Sequence, residues 1–234
     1  MCPENIIIQS TWFRIEERYW NVVFFLIYFL ENCPIRSRNT PASPERPPPI
    51  APKNRLAYMN RMSIRPILIH PDPRLKKVAA AVPDLSDELR ALAEDMLETM
   101  YDAPGIGLAA PQVGILDRLI VADAVKDPDA EPQPMVMFNP EVVLSSDETN
   151  VYEEGCLSIP EQFAEVTRPA EVRVRWIDMK GDERESDFAG LWATVLQHEI
   201  DHLNGKLFID YLSPMKRQMM TRRSQKIKRE RTRA

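Results

Sequence analysis

Residues 191–204 read as a helix, with Gly205 placed as the residue that ends it in a left-handed turn. Inside it stands Gln197-His-Glu-Ile-Asp-His202. His198 and His202 are four residues apart, so both imidazoles leave the same face of the helix. A divalent cation can take both rings, and Glu199, one step round, can reach a water on that cation. The bland alternative is an ordinary pair of helix histidines. The chain has only three His, His70 being the other, and two of them flank the one intervening Glu. That concentration favours a metal site.

The third ligand is less constrained. Metzincins continue with a His at position 208, which here is Phe208, so that route is closed. Asp210 and Glu230 lie downstream; His70, several carboxylates and Cys156 lie upstream. Cys156 sits in Glu153-Glu-Gly-Cys-Leu-Ser-Ile-Pro160, behind a Gly that lets a ligand approach the backbone. Thiolate is a strong ligand for zinc or iron, and Cys156 is preferred on that chemistry. A second segment, Gly105-Ile-Gly-Leu-Ala-Ala-Pro-Gln-Val-Gly114, fits a loose dinucleotide fingerprint. That fingerprint needs a strand before it and a helix after it, but here a helix comes before and Pro111 interrupts the far side. It is better read as backbone passing close to a ligand and presenting the Gln112 amide.

Composition bounds the class. The chain has 234 residues, 44% hydrophobic and 28% charged, which suits a folded globular protein rather than a polytopic membrane protein. Three scattered Cys point to a reducing compartment rather than a disulfide framework. Charge is segregated. Residues 62–214 hold 13 basic and 29 acidic groups, whereas residues 215–234 hold 9 basic and 1 acidic. Such a tail suits a polyanion such as RNA, or simply a solvated, partly frayed terminus.

Residues 1–61 are unlike the rest. Tyr19–Leu30 is a 12-residue apolar run, short of the roughly 20 that span a bilayer as a helix. A Pro-rich linker comes after it. This segment is expected to be a disordered extension or a mis-assigned start, with Met62 the biological one. From 62 onward the pattern is regular. Ser86 caps a helix whose apolar stripe runs from Leu89 to Met100. Strand-like segments stand at 119–122, 136–138, 142–144, 172–177 and 184–188, and helical sequence resumes at Leu191. Ser213-Pro214 opens a basic helix. This order favours an α+β fold with antiparallel sheet.

GIGLAAPQVG, EGCLSIP and QHEIDH, in this order and spacing, resemble the three motifs of the peptide deformylase family, and the likeness runs from about Ile64 to Ser213. The resemblance implies antiparallel sheets packed around a central metal-binding helix, a C-terminal helix, and a deformylase domain over 62–234. It implies hydrolysis of the formyl group from the N-terminal formyl-methionine of new polypeptides in the bacterial cytoplasm, with no membrane partner. It implies Cys156, His198 and His202 as metal ligands and Glu199 as general base and acid. Gln112 and the Leu157 N–H would hold the oxyanion, and Ile106, Gly107, Gly155, Leu191 and Thr194 would bind substrate. The metal would be Fe(II), with Zn, Ni or Co able to substitute. Apart from the resemblance, the charge of the basic tail suits contact with ribosomal RNA. Phe163 departs from the Arg that some members use to hold the peptide backbone. Two rivals share the residues: a peptidase built on the same helix, and a structural metal site in an RNA-binding protein.

Overall fold

A computed structural model describes residues 64–125 and 130–233, and the expectations for residues 1–61 lie outside the described residues. Helix α1 (Asp87–Asp102) starts where Ser86 accepts a hydrogen bond from the Leu89 N–H at 3.3 Å, with Asp87 and Glu88 in the first turn. The predicted stripe is its buried face.

Seven strands come next: β1 (Gly107–Ala109), β2 (Leu119–Ala122), β3 (Met135–Ser145), β4 (Thr149–Cys156), β5 (Ile159–Pro169), β6 (Glu171–Ile177) and β7 (Glu183–Ala189). They form a five-stranded sheet in the order β1-β2-β3-β6-β7 and a separate β4–β5 hairpin, with every pairing antiparallel. Helix α2 (Gly190–Leu203) and helix α3 (Pro214–Arg233) complete the chain.

Strand β2 explains the layering. Its four residues are all buried, because the strand is covered on both faces. Leu119 and Val121 pack with Met96 and Met100 of α1, while Ile120 and Ala122 pack with Leu196 and Leu203 of α2. The sheet therefore separates α1 from α2. Met96, Met100 and Phe138 are fully enclosed, each contributing about 1.5–3 kcal/mol by burial. The far edge is different: β7 is almost wholly exposed and charged, and Arg173 pairs with Asp187 across it at 2.7 Å. Charges of this kind blunt a sheet edge.

Three expectations need correction. The two segments at 136–138 and 142–144 are one strand, β3, although Pro140 should break a ladder. The register shifts between Phe138 and Glu141, and Asn139 turns to φ 51°. Its side chain exchanges two hydrogen bonds with the Val82 backbone, at 2.7 and 2.8 Å, in place of a strand. Strands β1, β4 and β5 carry no strand signal in the sequence pattern. The C-terminal segment is no frayed tail either: α3 docks on β5 through a face running along Arg217, Met220, Thr221, Ser224 and Lys228. Its buried positions are Met220 and Ser224, so it carries no apolar stripe.

Candidate metal centre

Helix α2 is buried over ten of its fourteen residues, and His198 and His202 point from one face with ring centroids 5.0 Å apart. Cys156 closes β4, just where the hairpin register shifts between Gly155 and Cys156. That irregularity turns the thiol toward the helix. Cys156 Sγ lies 3.3 Å from His202 Nε2, and the ligand atoms of Cys156, His198 and His202 all fall within 4.8 Å of one another. The other candidate ligands are engaged elsewhere. His70 Nε2 meets the Thr221 hydroxyl, Asp210 pairs with Lys76, and Glu230 lies beside Lys226 in α3.

The 3.3 Å between Cys156 Sγ and His202 Nε2 fits two ligands of a tetrahedral cation. Bonds of about 2.0–2.3 Å separate tetrahedral ligands by roughly 3.3–3.8 Å. His198 Nδ1 is 2.8 Å from Glu154 Oε2, an assignment in which the ring donates to the carboxylate and keeps Nε2 for the centre. His202 Nδ1 and Glu199 Oε2 are buried with no hydrogen-bond partner among the described residues. Burial holds His202 well below the usual imidazole range, so it stays neutral and able to bind.

Glu154 is itself held. Arg168 reaches both its oxygens, at 2.5 and 3.1 Å, and donates to Asp201 at 2.7 Å. Tyr211 stacks under the guanidinium at 4.9 Å and donates to the same Asp201. Arg168, Glu154 and His198 thus form a chain from the hairpin to the centre, all of it nearly dry. Sequence reasoning missed Glu154, Arg168 and Asp201. Glu154 stood in a quoted motif; the signal that could have singled it out is the need of a metal-binding His for an acceptor on its other nitrogen.

Glu199 is 4% exposed, and burial raises its carboxyl to about 7. A Cβ at Gly107 would fall on that carboxylate, 2.9 Å from its Cδ, so the bare Gly leaves Glu199 its position. Gln112 is 1% exposed. Its Oε1 accepts the Ala109 N–H at 2.8 Å, which aims Nε2 at Ser158 Oγ and Cys156 Sγ, 3.2 and 3.5 Å away.

A cleft of about 690 Å³ opens onto the centre. Ile106, Gly107, Gln112, Gly155, Cys156, Leu157, Leu191, Thr194, His198 and Glu199 all line it, and only His202, fully buried, stands behind. The Thr194 hydroxyl is tied to the Gly190 carbonyl at 3.2 Å. The Phe163 ring lies over Gly155, where a Cβ would come within 2.6 Å of it. Among the described residues, no helix is long and apolar enough to cross a membrane.

A sulfur and two imidazoles on one point, a buried carboxylate beside them and a cleft walled by strand and helix define the class of metal-dependent hydrolases. Residues 64–218 match the family model for polypeptide deformylase. The chain is 57% identical over 162 residues to a peptide deformylase of Rhizobium meliloti, an alignment covering 69% of this chain and 92% of that protein. A peptide deformylase crystal structure from Legionella pneumophila matches with a TM-score of 0.68 and 47% identity, over 74% of this chain and 99% of that one. A Met-Ala-Ser-bound peptide deformylase from Acinetobacter baumannii matches with a TM-score of 0.61 and 38% identity, over 64% of this chain and 99% of that one. The chain belongs to the peptide deformylase family. It is a metal-dependent hydrolase that removes the N-terminal formyl group from newly made polypeptides.

Proposed function

We propose that Cys156, His198 and His202 hold the metal and that Glu199 moves the proton of the reaction. The observation that carries this reading is the meeting of one sulfur and two ring nitrogens within 4.8 Å, beside a buried carboxylate. When bound, a divalent cation acts as a Lewis acid and makes a water nucleophilic near neutral pH, with a pKa of about 7 in the best zinc sites.

Glu199 takes a proton from the attacking water, and its pKa of about 7 suits both halves of the task. The C–N bond of the formamide then breaks, the Glu199 proton passes to the departing amine, and formate is the other product. The oxyanion lies against the Gln112 Nε2–H and the Leu157 N–H. Gln112 is set for this because its carbonyl is already committed to Ala109, leaving the amide as the group that faces the cleft. Gly107 lets Glu199 come close, while Ile106, Leu191 and Thr194 wall the slot for methionine, and the peptide adds as a strand beside Gly107 and Gly155. That the Acinetobacter baumannii relative binds Met-Ala-Ser supports a methionyl peptide as the ligand.

Fe(II) is the metal in this reading, with Zn, Ni and Co as functional substitutes, since thiolate and imidazole accept all four. Residues 62–234 are the catalytic domain, and the family match over 64–218 supports that boundary. The exposed basic residues of α3 are the surface for ribosomal RNA, and the cytoplasm, where nascent chains emerge, is where the enzyme acts.

The test is anaerobic formate release from formyl-Met-Ala-Ser with metal analysis of the same preparation. One equivalent of iron and turnover are expected. Cleavage of unformylated peptides without formate would favour a peptidase, and a fourth protein ligand on the metal would favour a structural site. Replacing the exposed Lys216, Arg222 and Arg229 by Glu should weaken ribosome binding while leaving formate release from short peptides; unchanged binding would rule out the RNA contact.

A further inference from the structure

Helix α3 does more than dock. Its covered face keeps to helical spacing: Met220 and Ser224 are buried, Thr221 touches His70, and Lys228 sits 3.7 Å from Asp72. Ser224 is fully buried and accepts a 2.8 Å hydrogen bond from Gln162, which also lines the cleft. That bond fixes the helix to β5 beside the cleft wall. Arg231 is seven residues beyond Ser224, two turns and about 10 Å further along, so it lies on the same face. Arg231 is exposed and lines the cleft.

Arg231 is the one Arg or Lys among the described residues that line the cleft. Arg223, on the helix's neighbouring face, is already paired with Glu161 at 3.6 Å. Arg231 has no hydrogen bond or ion pair to another described residue. The lining's carboxylates are Glu153, Glu154, Glu161 and Glu199, with Glu153 and Glu161 on the same hairpin. A peptide added beside Gly155, as proposed above, would run along that hairpin in the cleft that Arg231 also lines.

We propose that Arg231 contacts the substrate, pairing with a carboxylate carried downstream of the N-terminal methionine, so that the C-terminal helix sets a charge preference in the emerging peptide. This rests on the cleft holding the extended formyl-peptide. The carboxylate can be an acidic side chain or the free end of a short peptide, and both present the same chemistry to a guanidinium.

Formate release is measured on formyl-Met-Ala-Ser extended by one to three residues, amidated, with Asp, Ala or Lys last. Free-acid peptides ending in Ala run in parallel to separate a terminal carboxylate from a side chain. For the wild type, kcat/KM should be about two- to fivefold higher for Asp than for Lys at the length that reaches Arg231, the range of a solvent-exposed ion pair. The gain should sit in KM and shrink in 0.5 M salt. Arg231→Gln should erase it and Arg231→Glu should reverse it, while formyl-Met-Ala amide is turned over alike by all three proteins. A preference identical in wild type and Arg231→Glu at every length would overturn the proposal. So would a uniform loss on all peptides, including formyl-Met-Ala amide, because that marks a purely structural role. If the wild type releases no formate from any peptide, the deformylase reading itself fails instead.

Discussion

The side chain most worth removing is Arg168. It is 5% exposed and neutralises Glu154, 4% exposed, which in turn is 2.8 Å from His198 Nδ1. Arg168→Leu fits the space but strands a buried carboxylate and takes a partner from Asp201. Breaking a buried pair from one side costs about 3–5 kcal/mol. For a domain of this size that is a fall in Tm of roughly 6–20 °C. Most of the cost is the stranded charge, so neutralising it should restore stability. Arg168→Leu combined with Glu154→Gln keeps an amide oxygen for the His198 N–H and removes the negative charge. We expect the double variant to be more stable than Arg168→Leu alone by about 2 kcal/mol. The assay is urea unfolding of each protein in chelator, so that metal affinity does not enter, and then metal titration. Glu154→Gln alone should bind metal about 10- to 100-fold more weakly, because a neutral amide is a poorer acceptor for the ligating ring. If the two substitutions destabilise additively, Arg168 is not balancing Glu154 and the reasoning is refuted.

Other outcomes come from the same geometry. Glu199→Ala should keep its metal and lose at least about 100-fold in kcat, read by formate release at fixed metal content; Cys156→Ala should lose the metal itself. Gly107→Ala should fold normally, by circular dichroism and Tm, yet drop kcat about tenfold or more, because its Cβ takes the space of the Glu199 carboxylate. The Arg74 guanidinium bonded to Asp72, helped by Lys228, holds that carboxyl at about 2, below its usual 3.8. Its folded pKa is depressed, so the stabilisation is present above pH 4 and lost as pH falls through 2. Asn caps the adjoining turn equally well. The wild-type advantage over Asp72→Asn should therefore be about 1 kcal/mol at pH 5, after allowance for the exposed Arg74, and shrink between pH 4 and 2; an advantage that is flat with pH would contradict the assignment.

The parts of this molecule legible from residue order are those where one local signal outweighs its surroundings. Helix α2 announces itself through a capping Gly205 and two of only three histidines. Helix α1 announces itself through Ser86 and an apolar stripe. The β4–β5 hairpin is hidden because its inward side breaks the apolar pattern: Glu154 and Arg168 are buried beside Ile159 and Val166. Glu154 and Arg168 read as surface residues in a chain 28% charged, yet each is buried because the other, together with His198 and Asp201, satisfies it. No local pattern distinguishes a Glu that will meet an Arg fourteen residues later from one that faces water. Helix α3 itself is legible from Ser213-Pro214, but its docking is hidden for a related reason: it seats through Thr221 and Ser224, whose hydroxyls find His70 and Gln162, and hydropathy cannot register a face built on hydrogen bonds. The three residues that meet as candidate ligands are therefore readable, while the side chains that orient them are not. An imidazole's affinity for a cation depends on chemistry local to the ring, whereas its orientation depends on a carboxylate whose burial is settled only when the sheet, the hairpin and the helix have closed around it.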